Sequence, residues 1–324
     1  MITTVVGNYP KISPDSRAPS LRAAISRHDR DEITVEALHR IEEEVTREVL
    51  QEQADAGIDL VSDGQIRWDD GQTYLAKGIK GFTMNGLIRY FDTNTYYRHP
   101  VPEKSLEWEV PITAEDYRFA VANSSKPVKA ILTGPYTLAR LSQRGCYGDL
   151  ASVVKDLVPI LRQEALALQE AGAPVIQFDE PAILKYKEDM DLFAQAMEGV
   201  TQGVTARTAI YTYFNDVSGI HRDFFQVSVD VIGLDFVMGP ANYDLLKDIP
   251  SDKMLGLGIV DARNTRLETD EEIVSAIRRV SEAVSLDRLY INPSCGLDFL
   301  PRTNARAKLV RMAEGVNKAR EVIS

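Results

Sequence analysis

The chain has 324 residues, of which 44% are hydrophobic and 26% are charged, and its 48 acidic and 37 basic residues give a net charge of −11. This composition is typical of a globular protein, and the length suffices for one domain over residues 1–324 with a full core. The acidic balance, without a cluster of Lys and Arg, argues against a nucleic-acid partner, because phosphate binding needs concentrated positive charge.

Membrane insertion and disulfide bonding are both disfavoured by the sequence. No stretch approaches the roughly 20 apolar residues of a membrane span, and the first residues lack a basic segment followed by an apolar signal core. We therefore predict a cytoplasmic protein with no membrane partner. The 2 cysteines, Cys146 and Cys295, lie far apart in dissimilar surroundings. This spacing indicates no disulfide framework.

Short apolar runs alternate with amphipathic helical patterns along the chain. We predict strands at 5–8, 58–64, 128–135, 175–180, 208–213, 229–236, 254–260 and 288–292. We predict helices at 34–57, 113–123, 150–172, 190–203 and 270–284, a basic amphipathic helix at the C-terminus, and a loop with a short helix over 11–34. Gly57 provides the stop expected after the first long helix.

Eight strands alternating with helices favour a single parallel (β/α)8 barrel, the α/β fold also called a TIM barrel. Parallel neighbours need helical crossovers, and eight such units close a sheet. A doubly wound open sheet is the alternative, although no GxGxxG motif of a dinucleotide-binding fold follows any strand.

One long excursion, around residues 80–112, interrupts this rhythm. It is rich in aromatic residues between Arg89 and Pro100 and has no helical period. We predict either a long loop or a β-hairpin. Loops of this length inside a compact domain are usually functional or disordered, and the aromatic content argues against disorder.

Polar side chains follow nearly every predicted strand. They are Asn8, Asp63, Gln65, Arg67, Asp179, Glu180, Asp216, Asp235, Arg263, Asn292 and Cys295. In a barrel of this type the carboxyl ends of the strands meet at one face and form the active site. We therefore predict that these groups form a polar barrel mouth that binds a small-molecule substrate.

Asp179 and Glu180 are the candidate catalytic residues, because adjacent acids at the end of an apolar strand are costly unless a ligand or partner receives them. They could bind an amine or transfer a proton. A helix N-cap beside a solvated loop acid is the structural alternative.

Other residues at the mouth are candidates for substrate binding. Arg67 and Arg263 could clamp a carboxylate or phosphate, or they could pair with neighbouring acids. Aromatic side chains could stack on a flat ring such as a pterin, or they could pack the excursion against the barrel. These aromatic residues are Trp68, Tyr90, Tyr96 and Tyr97.

The sequence offers few metal ligands. Zinc takes about four N, S or O ligands, whereas the chain has 4 histidines and no HxC, HExxH or CxxC pattern. Cys295 is the one sulfur at a strand end, with Asp235 as a possible neighbour. A small buried cysteine is the structural alternative.

Five stretches together resemble the cobalamin-independent methionine synthase family. They read TVVGNYP at 4–10, AGIDLVSDG at 56–64, LTGPYT at 132–137, IQFDEPA at 176–182 and NPSCGL at 292–297. Three others resemble the amino-terminal barrel of that family more closely. They read YFDTNTYY at 90–97, YTYF at 211–214 and GIVDARN at 258–264.

The resemblance implies a fold and a reaction. The family has two related (β/α)8 barrels, of which the carboxyl-terminal one is catalytic, and some organisms have stand-alone barrels. It transfers a methyl group from a methylated folate, or from methylcobalamin in single-barrel relatives, to homocysteine held as a zinc thiolate. By resemblance Asp179 binds the substrate amine, with Glu180 beside it. Among the substrate-binding candidates, Asn8, Asp63 and Tyr213 fall within matching stretches, and Gln65 directly follows one.

The chain departs from the family pattern at the zinc ligands. The family binds zinc with an HxC pair, a glutamate and a late cysteine, whereas this chain has Tyr213 and Phe214 in the stretch of the pair and Asp235 at the glutamate position. Cys295 alone matches. The family's DGE reads DGQ at 63–65, and the serine of its amino-terminal motif reads Asn8.

Three functional hypotheses follow from this comparison. The chain is a methyltransferase of the family, or it is a non-catalytic barrel that works with a separate zinc-bearing barrel chain, or it is a diverged barrel enzyme acting on another small molecule. A thiol becomes reactive near neutral pH only when a metal or another cation favours the thiolate. The missing ligands therefore make zinc binding the sharpest question that the sequence raises.

Overall fold

The structure is a computed structural model that describes residues 1–13 and 20–323. Its strands are β1 (Ile2–Thr3), β2 (Lys80–Arg89), β3 (Tyr96–Glu107), β4 (Ala130–Thr133), β5 (Val175–Asp179), β6 (Arg207–Thr212), β7 (Val231–Asp235), β8 (Met254–Val260) and β9 (Leu289–Pro293). Apart from β2 and β3, all pair in parallel in one curled sheet with the order β1-β9-β8-β7-β6-β5-β4.

Residues 60 and 61 close this sheet into a ring. Leu60 forms a parallel bridge with Thr4 beside β1, and Val61 forms one with Val128 just before β4. Eight chain segments therefore surround the barrel axis, as the sequence predicted. The α/β barrel is confirmed, and the doubly wound alternative is wrong because the two edges of the sheet meet.

Helices cover the outside of the barrel. They are α1 (Leu21–His28), α2 (Val35–Asp55), α3 (Thr73–Gly78), α4 (Ala114–Ala122), α5 (Pro135–Arg140), α6 (Leu150–Glu170), α7 (Met190–Thr201), α8 (His221–Phe224), α9 (Asn242–Leu245), α10 (Asp270–Ser281) and α11 (Arg302–Val322). Thr34 caps α2 by accepting a hydrogen bond from the Ala37 N–H at 3.3 Å. Thr269 and Glu272 form a capping box at α10. These caps fix where the crossover helices begin.

The barrel interior is filled by side chains. Every residue of β4, β5 and β7 is buried, as expected for strands with a helical layer outside and a packed interior. The Tyr211 ring lies across the axis, where a Cβ atom at Gly233 would be only 2.4 Å from it. Gly233 therefore allows Tyr211 to cross the barrel, because any larger residue would collide with the ring.

The excursion is an antiparallel β-hairpin, one of the two predicted forms. β2 pairs with β3 from Lys80 opposite Glu107 to Arg89 opposite Tyr96, with two irregularities in register. Its base is tied to the barrel by the buried Glu164 of α6, which accepts hydrogen bonds from the backbone N–H groups of Ile112 and Thr113. The hairpin is thus a built element with a fixed attachment.

Predicted bounds differ from the structure at several elements, including the strand predicted at 58–64, of which only isolated bridges at Leu60 and Val61 form. The first strand was predicted at 5–8 but lies at Ile2–Thr3, since Gly7 and Pro10 shape a loop rather than a strand. Within the predicted loop and short helix over 11–34, α1 begins at Leu21. Residues 14–19 of that prediction lie outside the described residues.

Candidate functional site

A cavity opens at the carboxyl ends of the barrel strands. Its volume is ≈ 290 Å³. The lining residues are Val6, Asn8, Tyr9, Lys11, Gly64, Gln65, Trp68, Asp69, Asp70, Gly71, Tyr90, Thr95, Tyr96, Tyr97, Thr133, Asp179, Tyr213, Phe214, Gly296, Asp298 and Phe299. This volume and mixed lining suit a small polar molecule with an apolar or aromatic part. Four of the predicted site residues meet here, namely Asn8, Gln65, Asp179 and Tyr213.

Asp179 ends β5 and presents its carboxylate to this cavity. Parallel pairing places it between Thr133 of β4 and Tyr211 of β6. Its Oδ1 accepts a hydrogen bond from Gln177 Nε2 at 2.6 Å, and its Oδ2 accepts one from the Tyr213 hydroxyl at 3.4 Å. Burial raises the pKa of Asp179 to about 7, against these hydrogen bonds and the nearby Lys129 ammonium, which favour the charged form.

Glu180 faces away from the cavity, although it follows Asp179 directly. Its two carboxylate oxygens accept hydrogen bonds from the backbone N–H groups of Tyr136 at 2.9 Å and Thr137 at 2.7 Å. A Cβ atom at Gly134 would lie 2.1 Å from Glu180 Oε1, so only glycine admits the carboxylate. Burial raises the pKa of Glu180 to about 8, opposed by these N–H donors. Glu180 therefore makes the contacts of a helix N-cap, which was the structural alternative. It caps the first turn of α5, although it follows β5 rather than directly preceding that helix.

Asn8 and Gln65 also line the cavity. Asn8 follows β1, and Gln65 follows the barrel segment at residues 60–61. The Asn8 side chain hydrogen-bonds Asp298, whose pKa is raised by burial. Gln65 has a positive φ of 52° and a buried Oε1 with no hydrogen-bond partner among residues 1–13 and 20–323. A buried amide oxygen without a partner is rare and costly, which marks Gln65 as a group with free acceptor capacity beside the cavity.

Three other predicted site residues hold the surrounding loops. Asp63 accepts a hydrogen bond from the Gln65 N–H at 3.0 Å, and burial raises its pKa to about 6. Arg67 donates to Asp116 at 2.6 Å and to Glu43 at 3.4 Å, so it pairs with neighbouring acids. Asp235 accepts three backbone N–H groups, those of Phe214, Val237 and Met238, at 2.9–3.0 Å.

Arg263 connects the barrel to the hairpin. Its Nη2 donates to the backbone carbonyl of Asp92 at 3.0 Å, and its guanidinium lies 5.5 Å from the Phe214 ring centre and 5.9 Å from that of Phe299. Cation–π contacts of this kind stabilise a docked loop as well as a ligand. Neither carboxylate nor phosphate binding is needed to account for its position.

Tyr90 and Tyr97 form one aromatic cluster with Phe91 and Phe214 beside the cavity, which Tyr96 and Trp68 also line. Tyr90 packs against Phe91 at 4.7 Å and Phe214 at 6.2 Å between ring centres, and its hydroxyl lies 3.3 Å from that of Tyr213. Trp68 stacks on Tyr74 outside this cluster, with ring centres 5.0 Å apart. The hairpin therefore packs on the barrel mouth through aromatic rings, and the exposed Tyr96 keeps a free face.

Lys11 lines the cavity, although its position in the sequence did not predict it. Its ammonium donates to the Trp68 carbonyl. Burial lowers its pKa, and Asp69 and Asp298 oppose that shift. A basic residue three positions after the strand-end Asn8 was the available signal. Lys11 gives the cavity a basic side chain in addition to the Asp179 carboxylate.

The zinc site that the resemblance implies does not fit the described residues. Cys295 is 1% exposed, its Sγ donates to the Gly296 carbonyl at 3.5 Å, and burial together with Asp235 raises its pKa. The oxygens of Asp235 are taken by three N–H groups, and no histidine lines the cavity. Over residues 1–13 and 20–323, no three His, Cys, Asp or Glu side chains are grouped to hold a metal ion.

Comparisons with known proteins identify the family. The family described as "Cobalamin-independent synthase, Catalytic domain" matches residues 1–318. The chain belongs to this family. A methionine synthase of Saccharolobus solfataricus is 36% identical over 323 residues, covering 98% of this chain and 95% of the relative. One of Sulfurisphaera tokodaii is 31% identical over 321 residues, covering 98% and 92%.

Solved structures show the same fold. A B12-independent methionine synthase from Shewanella sp. W3-18-1 superposes with a TM-score of 0.85 at 22% identity, covering 98% of this chain and 97% of that one. A putative one from Listeria monocytogenes superposes with a TM-score of 0.79 at 16% identity, covering 100% and 99%.

The predicted family, barrel fold and enzyme class are therefore confirmed, and the chain is an enzyme of the methionine synthase type. The matched description is that of the catalytic domain, and the closer likeness to the amino-terminal barrel stays a prediction. Among the described residues, none of the helices has the length and apolar character of a membrane span.

Proposed function

We propose that the chain transfers a methyl group from a methylated folate to a homocysteine-like thiol, and that the amino-acid acceptor binds in the mouth cavity. The main support for this proposal is the Asp179 carboxylate, which Gln177 and Tyr213 hold at the cavity by hydrogen bonds. In this reaction the methyl group leaves a folate nitrogen for the acceptor sulfur, and the thiol proton replaces it on the folate. Methylcobalamin is the less favoured donor, because the family is described as cobalamin-independent.

The cavity carries opposite charges for the two ends of an amino acid. Asp179 would accept from the ammonium group, and Lys11 would donate to the carboxylate. The exposed ring of Tyr96 and the half-buried ring of Tyr90 would stack on a pterin. Both roles use residues that already line one cavity, which supports binding of acceptor and donor side by side.

Binding of L-methionine, the expected product, tests the role of Asp179. Asp179→Asn keeps the shape and the Gln177 hydrogen bond but removes the charge, so affinity should fall by at least ~10-fold, as for loss of a charged hydrogen bond. Isothermal titration calorimetry measures this. Asp216→Asn is the matched control, because Asp216 follows β6 outside the cavity and pairs with Lys187. Equal affinity of both variants and the unmodified chain would remove Asp179 from the site.

A second candidate function is a barrel that acts only with a separate zinc-bearing barrel chain. Among residues 1–13 and 20–323, no three His, Cys, Asp or Glu side chains are grouped to hold a metal ion that would activate the thiol. Exposed large apolar residues also occur on the hairpin and on loops that follow strand carboxyl ends. They are Ile12, Leu87, Ile88, Tyr96, Met238 and Leu267. Such exposure at a barrel mouth favours a protein partner.

A methyl-transfer assay separates the two candidates. Homocysteine and methylated folate would be supplied to the chain alone, with and without added zinc, and then together with a zinc-bearing methionine synthase barrel. Turnover by the chain alone supports the first candidate. Turnover that requires both chains, lost on Leu87→Glu but kept on Val322→Glu at the distant exposed helix end, supports the second.

A further inference from the structure

A buried lysine lies deeper in the barrel than Asp179. Lys129 directly precedes β4 and is 3% exposed. Its Nζ donates to Gln177 Oε1 at 2.5 Å and to the Val5 carbonyl, and it lies 4.7 Å from the Tyr211 ring centre. A buried ammonium is costly unless its surroundings compensate it, so this placement calls for a physical reason.

The Gln177 amide joins Lys129 to Asp179 and has only one favourable orientation. Its Oε1 faces the Lys129 ammonium, and its Nε2 donates to Asp179 Oδ1 at 2.6 Å and to the Val6 carbonyl at 2.7 Å. An ammonium can only donate and a carboxylate can only accept. The flipped amide would oppose donor to donor and acceptor to acceptor, so the two charges fix the amide dipole between them.

We propose that Lys129 is a positioning residue that, through Gln177, holds Asp179 in a fixed orientation at the cavity and favours its charged form. Lys129 does not line the cavity. Its effect on a bound ligand would pass through two hydrogen bonds, from Lys129 to Gln177 and from Gln177 to Asp179, which we call the relay. The assignment of Asp179 as the amine-binding group rests on the proposed function, whereas the relay itself rests on the hydrogen bonds alone.

The other ionisable groups around the relay do not replace Lys129. Asp179 is hydrogen-bonded to Tyr213 and interacts electrostatically with Glu180, Tyr90 and Tyr211. None of these four side chains carries a positive charge. Lys129 has Asp179 as its charged neighbour. Burial lowers the pKa of Lys129 to about 7 and raises that of Asp179 to about 7, and each group opposes the shift of the other. Each charge therefore favours the charged form of the other group.

Titration of Asp179 by NMR tests the relay without any ligand. The carboxyl carbons of aspartate would be labelled with ¹³C and followed from about pH 5 to 9, and the Asp179 signal identified by its absence in Asp179→Asn. In Lys129→Met the titration midpoint should rise by about 1 unit or more, since a nearby opposite charge is lost. Lys253→Met should leave it unchanged, because Lys253 donates to the Val227 and Val229 carbonyls away from the cavity.

An unchanged midpoint in a folded Lys129→Met protein would overturn the proposal and make Lys129 a space-filling residue. If that variant does not fold, Lys129→Gln keeps a polar contact to Gln177 without the charge, and the same rise is expected. L-Methionine affinity near pH 6.5 should fall in either variant, and the loss should shrink as pH rises. If the unmodified chain does not bind L-methionine, the proposed function is contradicted. The NMR titration needs no ligand, so it would still test the relay.

Discussion

At the scale of single residues, the two adjacent acids after β5 have separate tasks. Asp179 presents its carboxylate to the cavity, whereas Glu180 caps the start of α5 from a neighbouring strand. Alternation along a strand explains the division, because successive side chains point to opposite faces. One acid therefore faces the barrel mouth and the other faces the helical layer.

Replacing Glu180 by Gln should cost stability and leave ligand binding nearly unchanged. The amide would set its NH₂ against one of the two backbone N–H donors of Tyr136 and Thr137, and one buried group would lose its partner. The free energy of unfolding should fall by about 1–3 kcal/mol, the usual cost of such a loss.

Urea denaturation followed by circular dichroism measures the effect of Glu180→Gln, and L-methionine titration provides the second readout. Glu188→Gln is the control, since Glu188 lies in an exposed short 3₁₀ turn and should change stability by less than about 0.5 kcal/mol. Loss of ligand affinity in Glu180→Gln without loss of stability would contradict the capping role and restore a role in the site.

The sequence could locate Asp179 and Glu180 but could not separate their tasks. Both acids follow the same apolar run. Glu180 can turn toward α5 only because Gly134 leaves space and the N–H groups of α5 donate to its carboxylate, and these residues are distant in sequence. Arg67 and Asp235 show the same limit, because strand-end position predicted proximity to the mouth while their partners Asp116 and Phe214 come from other segments. Lys11 was missed because a single basic loop residue has no distinguishing pattern.

At the scale of elements, the hairpin of β2 and β3 acts as one wall of the cavity. Its Tyr90, Thr95, Tyr96 and Tyr97 line the cavity. The predicted alternatives for its aromatic residues are therefore not exclusive, because the same rings pack the hairpin on the barrel and face the cavity. The sequence could not predict which aromatic side chains face the cavity. The two irregularities in register disturb the alternation of side chains along β2 and β3.

Arg263 should hold the tip of the hairpin, and Arg263→Ala should loosen it. The variant removes the hydrogen bond to the Asp92 carbonyl and the contacts to the Phe214 and Phe299 rings. We expect faster amide hydrogen exchange over residues 89–96 by about 5-fold or more, because a lost contact of about 1 kcal/mol raises local opening by that factor.

Mass-spectrometric hydrogen exchange detects this change peptide by peptide. Arg266→Ala is the matched control in the same loop region, where Arg266 pairs with Glu272 at the start of α10 and does not touch the hairpin. Equal exchange over 89–96 in both variants and the unmodified chain would show that Arg263 does not anchor the hairpin.

At the scale of the whole molecule, the barrel buries several ionisable groups around one mouth. Burial raises the pKa values of Asp63, Asp179, Glu180 and Asp235 to between about 6 and about 8. Holding such groups costs stability, which is tolerated where function requires it. In barrels of this type the active site lies at the carboxyl ends of the strands, which is the end where these groups are buried.

The raised pKa of Asp179 contributes a loss of stability as pH rises from about 4 to about 7. An aspartate titrates near 3.9 in an unfolded chain. Asp179 titrates near 7 when folded, so the folded state binds more protons across this window and proton release disfavours it. Lys129, with its pKa lowered to about 7, acts oppositely above that pH, because there the unfolded chain binds the extra proton.

Asp179→Asn should remove up to ~1.4 kcal/mol per pH unit of this loss between about pH 4.5 and 7, the contribution of one proton. Urea midpoints at several pH values measure the slope. Asp244→Asn, at an exposed ion pair with Arg279, should keep the full slope. A slope unchanged by Asp179→Asn would mean that Asp179 is already ionised at low pH in the folded protein. The cavity would then hold a permanent negative charge, and L-methionine affinity should be constant over the same range.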